Sequence, residues 1–389
     1  MNNMNKRIKS ILILMVSLIL LLSSVLFAKD FCGSDNVFAS SNFYSLNSKT
    51  NNKDEKFKNR YGVALVNSEQ EKKDMELYAG GNSVGVRVST NGVLAVGYSD
   101  LTTISGEITS PAQNGGIEIG DRLLEVNGKK IKSSKDLSKQ INDSKSENVE
   151  ILLERDGKEI RKNISLTKNN DGDYKIGLWV RDSTAGVGTL TFYDKESGKY
   201  GAIGHPITDS ETDKILSIKD GDLLNSSIIS IKKGVKGNPG ELRGIFSSDK
   251  ISIGDVTGNT QCGIFGSMNK EQFRNVNSTK KYKVGWKEDI QEGPAQIITT
   301  IDENGPKFYD VEIVKLTKQN DVSTKSMVIK VTDERLLEKT GGIVQGMSGS
   351  PIIQNDKIIG AITHVLVNKP EVGYGIYIEW MLKDAEIIQ

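Results

Sequence analysis

The chain has 389 residues, 26% charged and 37% hydrophobic, a length that predicts two or three folded units of ordinary globular composition. Its formal net charge of +1, with lysines and carboxylates interspersed, excludes the basic field that nucleic-acid binding needs. The only histidines are His205 and His364 and the only cysteines Cys32 and Cys262, so imidazole and thiol chemistry have few places to reside.

Lys6, Arg7 and Lys9 precede an apolar run from Ile11 to Phe27, the pattern of an export segment. At 1.5 Å per residue the run spans about 25 Å, slightly short for a hydrocarbon core, so a cleavable signal and an uncleaved anchor are both open. Ala28 is a small residue at a cleavage position, but Leu26 stands where a second small residue is wanted. Residues 1–29 are therefore read as a signal-anchor first and a signal peptide second. Residues 30–74 are rich in Asn, Ser, Lys and Asp and poor in aliphatics, which predicts a flexible linker. Cys32 lies in it, and both cysteines are read as free thiols.

From residue 75 to 168 the pattern predicts a small β-rich module. Val84-Gly-Val-Arg-Val88 and Val93-Leu-Ala-Val96 are short alternating runs, a helix follows Ser134, and a strand over Val149–Glu154 leads to an Asp156-Gly157 turn. Gly120-Asp121 turns into a buried strand, and Asn127-Gly128 favours a tight hairpin. With Pro111-Ala112 and Gly115-Gly116-Ile117, these residues resemble the PDZ domain pattern. The resemblance implies that Ser83, Val84, Gly85 and Val86 form the loop that holds a peptide's C-terminal carboxylate, with the peptide adding a strand to a sheet edge. A packing module without a ligand is the plainer alternative.

Residues 169–389 are predominantly β, with apolar runs at Tyr174–Val180, Gly188–Tyr193 and Gly201–Gly204, no long helical period, and an irregular glycine-rich middle near 234–260. Strands this numerous predict a barrel or a pair of barrels. Gly341-Gly-Ile-Val-Gln-Gly-Met-Ser-Gly-Ser-Pro351 is a glycine-rich turn holding Ser348 between Gly346 and Gly349. A strand-like Ile352–Val365 follows it, which argues against the strand-to-helix elbow of an α/β-hydrolase.

A serine nucleophile needs an adjacent base and backbone N–H groups for the oxyanion. His364 lies inside the apolar run Ile358–Val367, where a hydrogen-bonded strand residue is the plainer reading. His205 ends a short strand between Gly204 and Pro206, which leaves a turn role and a base role open. Asp209 and Asp213 are near His205 in sequence, whereas Asp333 ends the apolar run from Val328 and can return beside Ser348. The order His, Asp, Ser also occurs in chymotrypsin-like double barrels, whose oxyanion hole would here be the N–H groups of Gly346 and Ser348.

The Gly-His segment, Asp333, the Gln345–Pro351 turn with its following Thr-His strand, the PDZ pattern and the single N-terminal apolar segment together resemble the SpoIVB peptidase family of spore-forming bacteria. The resemblance implies a mainly β chain: an N-terminal membrane segment, a PDZ domain, and a chymotrypsin-like double β-barrel serine peptidase. It implies His205 as general base, Asp333 as orienting acid and Ser348 as nucleophile, and does not favour Ser350 or His364 in those roles. It further implies a sporulation signalling endopeptidase, exported across the forespore membrane to the intermembrane space and anchored before processing. Such an enzyme cuts itself and a membrane-bound regulator of intramembrane proteolysis, so that a late mother-cell sigma-factor precursor is processed. The competing classes are an inactive PDZ adaptor and an exported esterase using the same serine. Neither a metal motif nor a Walker-type loop is present, and no cofactor is expected.

Overall fold

A computed structural model describes residues 74–102, 108–169, 171–246, 252–269, 271, 280–319 and 321–389. The expected membrane segment, all of the linker except Asp74, and Cys32 lie outside the described residues. Among the described residues no helix is long and apolar enough to cross a membrane.

In chain order, the first strands are β1 (Glu76–Ala79) and β2 (Ser83–Tyr98). The module that follows has β3 (Arg122–Val126), α1 (Ser134–Asp143), β4 (Asn148–Arg155) and β5 (Lys158–Ser165). Next come β6 (Leu178–Tyr193), β7 (Lys199–Ala202), β8 (Ile218–Asn225), β9 (Gly254–Asp255) and β10 (Gly263–Ser267). The last part holds β11 (Gly293–Thr299), β12 (Lys307–Leu316), β13 (Met327–Val331), α2 (Glu334–Thr340), β14 (Pro351–Gln354), β15 (Lys357–Val365), β16 (Val372–Tyr377) and α3 (Ile378–Asp384).

Strand pairing closes two rings. In the first, β6 pairs β2, β2 pairs β8, β8 pairs β9, a Gly254–Met268 bridge carries the ring to β10, and β10 returns through β7 to β6. In the second, β11, β12, β13, β16, β15 and β14 pair in turn, and β14 returns to β11. Closure removes the unpaired edges that would otherwise template aggregation. Each ring has its own core: Val84, Val86, Val88, Leu190, Tyr200 and Leu223 fill the first, while Ile297, Val311, Ile329, Ile352, Ile362 and Ile376 help fill the second. Complete burial of one such aliphatic side chain is worth about 1.5–3 kcal/mol. The expected double barrel is thus present in the pairing itself.

The PDZ module has a third core, in which Val93 and Ala95 meet Leu123, Leu137, Ile151 and Leu153. Its predicted turns are in place: Asn127 and Gly128 both have positive φ (49° and 75°) before the short return Lys129–Lys130. Asp121, almost fully buried, is held by Arg155 through two hydrogen bonds of 2.7 Å, which neutralises a carboxylate that could not be buried alone.

One boundary differs from expectation. β1 and the first half of β2 belong to the barrels, and the second half of β2 belongs to the PDZ core, so the two domains share a strand. Inward residues keep period two on each side of Gly92, Val84, Val86 and Val88 before it and Val93 and Ala95 after it, with the phase shifted by one residue at the crossing. The bend itself is at Gly92, where φ is +77° and a Cβ would lie 2.2 Å from the Leu123 carbonyl oxygen. The second difference is within Ile352–Val365, which is a hairpin of β14 and β15 turning at Asn355 and Asp356, both with positive φ.

Candidate active site

The glycine-rich turn around Ser348 is held by the long strand β6. Thr189 donates its hydroxyl to the Gly346 carbonyl and Thr191 donates to that of Gly349, each at 2.8 Å, and the Thr189 amide donates to the Ser348 carbonyl at 3.0 Å. Sequence reasoning missed these two threonines; their alternate positions in Gly188-Thr-Leu-Thr-Phe192 put both on one face of the strand. Gly349 is obligatory: φ is +96° and a Cβ would meet the Thr189 carbonyl oxygen at 2.1 Å.

The amides of Gln345, Met347, Gly349 and Ser350 each donate to a backbone carbonyl, to Gly240, Val344, Ile362 and Met347 respectively. Among the described residues, no backbone acceptor takes the amides of Gly346 and Ser348. Gly346 and Ser348 are half-buried at the cavity, so two free donors on one turn are suited to receive a developing negative charge.

His205 is presented by a strained approach. Ile203, a β-branched residue, has φ of +70°, and Gly204 follows at +75°. The Nδ1 of His205 lies 2.8 Å from the Pro206 carbonyl oxygen. A carbonyl only accepts, so Nδ1 carries the proton and Nε2 is the basic nitrogen. Burial holds the His205 pKa below the ordinary imidazole range, against a smaller upward pull from the Pro206 carbonyl.

Ser348, His205 and His364 line one cavity of about 630 Å3, together with Gly346 and the β6 residues Thr184–Val187. A more open cleft of about 1030 Å3, lined by Lys280, Tyr282, Asp310 and Glu312 among others, holds neither imidazole nor the turn serine. Ser348 and His205 therefore line the same cavity, with Gly346 beside them. In the resting geometry the Ser348 hydroxyl donates to the Thr363 carbonyl at 2.7 Å. Ser350 is buried and donates instead to Met347 at 2.6 Å, a structural role.

Asp333 is not brought to this cavity, and its expected role as the orienting acid is corrected. Its carboxylate caps α2, accepting from the amides of Arg335 and Leu336 at 2.9 and 3.3 Å. It also accepts from the Asp310 amide at 3.2 Å and from the Arg335 guanidinium at 3.0 and 2.6 Å. The Arg335 side chain holds it below the usual carboxylate range. The apolar run from Val328 ends in a helix cap, so the side chain points to α2. Asp209 is likewise committed, to Arg181 at 2.5 Å and to its own turn.

His364, which the sequence reading set aside as a strand residue, is on β15 one residue past Thr363, with its ring centroid 4.7 Å from that of His205. Its Nδ1 is buried without a hydrogen-bond partner. Burial first, then proximity to His205 and Lys325, pushes its pKa down to about 4. No sequence signal placed it there, because 159 residues' separation is closed only by the register of β15.

The assignment of Ser83–Val86 to a carboxylate-binding loop is also corrected. These residues lie within β2, paired on one side with Gly186–Thr189 of β6 and on the other with Leu223–Asn225 of β8. Their amides serve a closed barrel. The PDZ edge strand is the far end of β2, and there Leu178, Trp179, Val180 and Arg181 of β6 pair with Tyr98, Gly97, Ala95 and Leu94. Tyr174, Leu178 and Val180 pack on the PDZ core, and the Tyr174 amide donates to Asn142 of α1 at 2.9 Å. β6 thus pairs along the edge of the PDZ half of β2.

Cys262 is a free, buried thiol whose pKa is raised, chiefly by burial.

Partial matches to other proteins are modest. A curated zinc metalloprotease of Lactococcus lactis subsp. lactis (strain IL1403) is 29% identical over 115 residues, 29% of this chain, and the match spans only 25% of that relative. A PDZ domain from an SdrC-like protein of Listeria monocytogenes is 25% identical, covering 24% of this chain and 90% of that one at a TM-score of 0.19. The active form of the Rv3671c protease of M. tuberculosis is 10% identical, covering 53% and 76% at a TM-score of 0.28. Residues 82–166 match the PDZ domain family. Residues 172–382, more than half of the chain and including Ser348, His205 and His364, match the family described as SpoIVB peptidase S55, and the chain belongs to that family.

Proposed function

We propose that this chain is a serine endopeptidase of sporulation signalling in which Ser348 attacks a peptide carbonyl, His205 Nε2 accepts its proton, and the Gly346 and Ser348 amides bind the oxyanion. The observation that carries the reading is the joint placement of Ser348, His205 and those two free amides at one cavity. For attack, the Ser348 hydroxyl leaves the Thr363 carbonyl by rotation about χ1 and turns to His205. Oγ then bonds the carbonyl carbon, the proton passes to Nε2 and on to the leaving amine, and water hydrolyses the acyl-enzyme.

The family membership supports the finer reading: export across the forespore membrane, anchorage by residues 1–29, and cleavage both of itself within the linker and of a membrane-bound regulator of intramembrane proteolysis. A peptide C-terminus reaching the PDZ module would add to β2 by displacing Leu178–Arg181. The Ser348 hydroxyl's bond to Thr363 rather than to an imidazole favours a second reading, an inactive PDZ adaptor.

A fluorophosphonate probe separates the two. Labelling confined to Ser348, with new N-termini that appear in the parent and are absent from Ser348→Ala, supports the peptidase. A folded parent that is neither labelled nor cut makes it an adaptor.

A further inference from the structure

The chemistry of the cut gives the cavity two sides. The base must hand its proton to the leaving amine, so the leaving half of a bound peptide lies on the His205 side, toward Ile207 and Thr208. The acyl half, which carries the side chain just before the scissile bond, then lies toward the second barrel. That barrel's core residues Ile343 and Val344 reach the cavity there, with Val365, Val367 and Pro239 beside them.

The backbone points the same way. β14 leaves β15 at Ile362, whose amide and carbonyl bond Ser350 and Gly349. Past that residue β15 has no strand partner on the β14 side among the described residues, and the Thr363 carbonyl faces Ser348, accepting its hydroxyl at 2.7 Å. Once the hydroxyl turns to His205, that carbonyl is open to the amide of the residue being cut. A chain lying along this edge sets its side chain against Val365 and the mouth residue Val367.

Resting on the serine-peptidase reading above, we propose that this wall is the specificity pocket for the residue preceding the cut, and that it selects a neutral aliphatic side chain such as valine or leucine. Ile343 and Val344 are 2% and 1% exposed, fixed by the core behind them, so the wall cannot be exchanged for a polar one by turning a side chain. Among the described residues that line the cavity, none is Asp, Glu, Lys or Arg. Its two imidazoles are both held below the ordinary range by burial and carry no charge at neutral pH. Glu241, bridged to Gln345, pairs with Arg243 at 3.4 Å, and Lys325 sits over the Tyr374 ring. A charged side chain entering the pocket would give up water for no partner, whereas an aliphatic one gains by leaving water.

The experiment measures labelling rates at Ser348 in the full chain with peptidyl diphenyl phosphonates that differ only in the residue bearing phosphorus: glycine, valine, leucine, lysine or aspartate. In each, Oγ bonds phosphorus as phenoxide leaves. The valine and leucine probes are expected to label about 10- to 100-fold faster than glycine, with lysine and aspartate no faster than glycine. Lysine or aspartate labelling at the valine rate overturns the pocket, and lysine ahead of valine would assign the choice to Glu241. Rates within about 3-fold across the whole set overturn it as well. In Val365→Asp the lysine probe is expected to label about 10-fold faster than in the parent; a folded variant that keeps the parent's order removes Val365 from the wall and overturns the assignment. The parent's own rates decide the matter where that variant does not fold. Fluorophosphonate labelling with no labelling by any peptidyl probe overturns the pocket alone, whereas no labelling by either reagent refutes the peptidase reading.

Discussion

Replacing Asp333 separates a helix cap from a catalytic acid. Asn caps a helix as well as Asp does, whereas Ala does not, and loss of a cap costs about 1 kcal/mol. The Asp333 side chain is 4% exposed and also accepts from the Asp310 amide, so Ala leaves a further donor without its partner, at about 1–2 kcal/mol. The ion pair to Arg335 adds little more, because the arginine side chain is 68% exposed. Asp333→Ala is therefore expected to lose about 2–3 kcal/mol and to melt roughly 4–12 °C lower, at 2–4 °C per kcal/mol for a domain of this size. Asp333→Asn keeps the cap through its one oxygen, but its NH2 group replaces the oxygen that accepts from the Asp310 amide, so it gives up that bond and the guanidinium pairing, for a loss of about 1–2 kcal/mol. At 25 °C both variants are expected to hold the parent rate of Ser348 labelling and self-cleavage within a few-fold. An orienting carboxylate behaves differently, since exchanging it for an amide lowers turnover by about 10⁴ with the fold intact. Thermal unfolding and labelling rate on the same preparations decide between them. A well-folded Asp333→Asn with turnover reduced by about 10³ or more would refute the cap assignment and restore Asp333 to the triad.

Gly349→Ala is expected to abolish labelling, because the new methyl falls on the Thr189 carbonyl at φ +96° and displaces the turn; wild-type labelling of that variant would show that the turn has another conformation. Ser350→Ala is expected to stay labelled while losing about 0.5–1.5 kcal/mol, the worth of its hydrogen bond to Met347, as read from labelling and denaturant midpoints. The pH dependence follows from the depressed histidines. His364 is neutral in the folded chain down to about pH 4 but titrates near 6.5 when unfolded, so the unfolded state binds more protons between those values. Its contribution is nil above about pH 6.5 and becomes destabilising as pH falls toward 4. Relative to His364→Phe, the parent should therefore lose melting temperature only in that window; a constant difference from pH 8 to 4 would contradict the assignment.

Features set by near neighbours were legible in the residues. Asn127-Gly128 and Asp156-Gly157 announced tight turns because positive φ is cheap there, and the turns form as read. Valines at period two announced inward-facing strands, and Gly346-Met-Ser-Gly349 announced a turn that exposes a hydroxyl and two amides. Asp333 was misassigned because an apolar run ending in Asp reads equally as a strand end and as the approach to a helix, and only Arg335 and the cap geometry distinguish the two. Ser83–Val86 was misassigned because one strand serves two cores and the alternation is blind to which neighbour pairs with it.

By itself, then, the chain's sequence determined a glycine-rich serine turn, a PDZ-like module and a β-rich C-terminal domain, all legible from local backbone preference and periodicity. Only the tertiary structure decided what stands beside His205. Whether an imidazole or a carboxylate stands beside His205 depends on the pairing register of β15 and β16 and on the direction in which α2 leaves the barrel. Those are set by the packing of residues far apart in the chain, and a one-residue change of register would turn His364 to the other face.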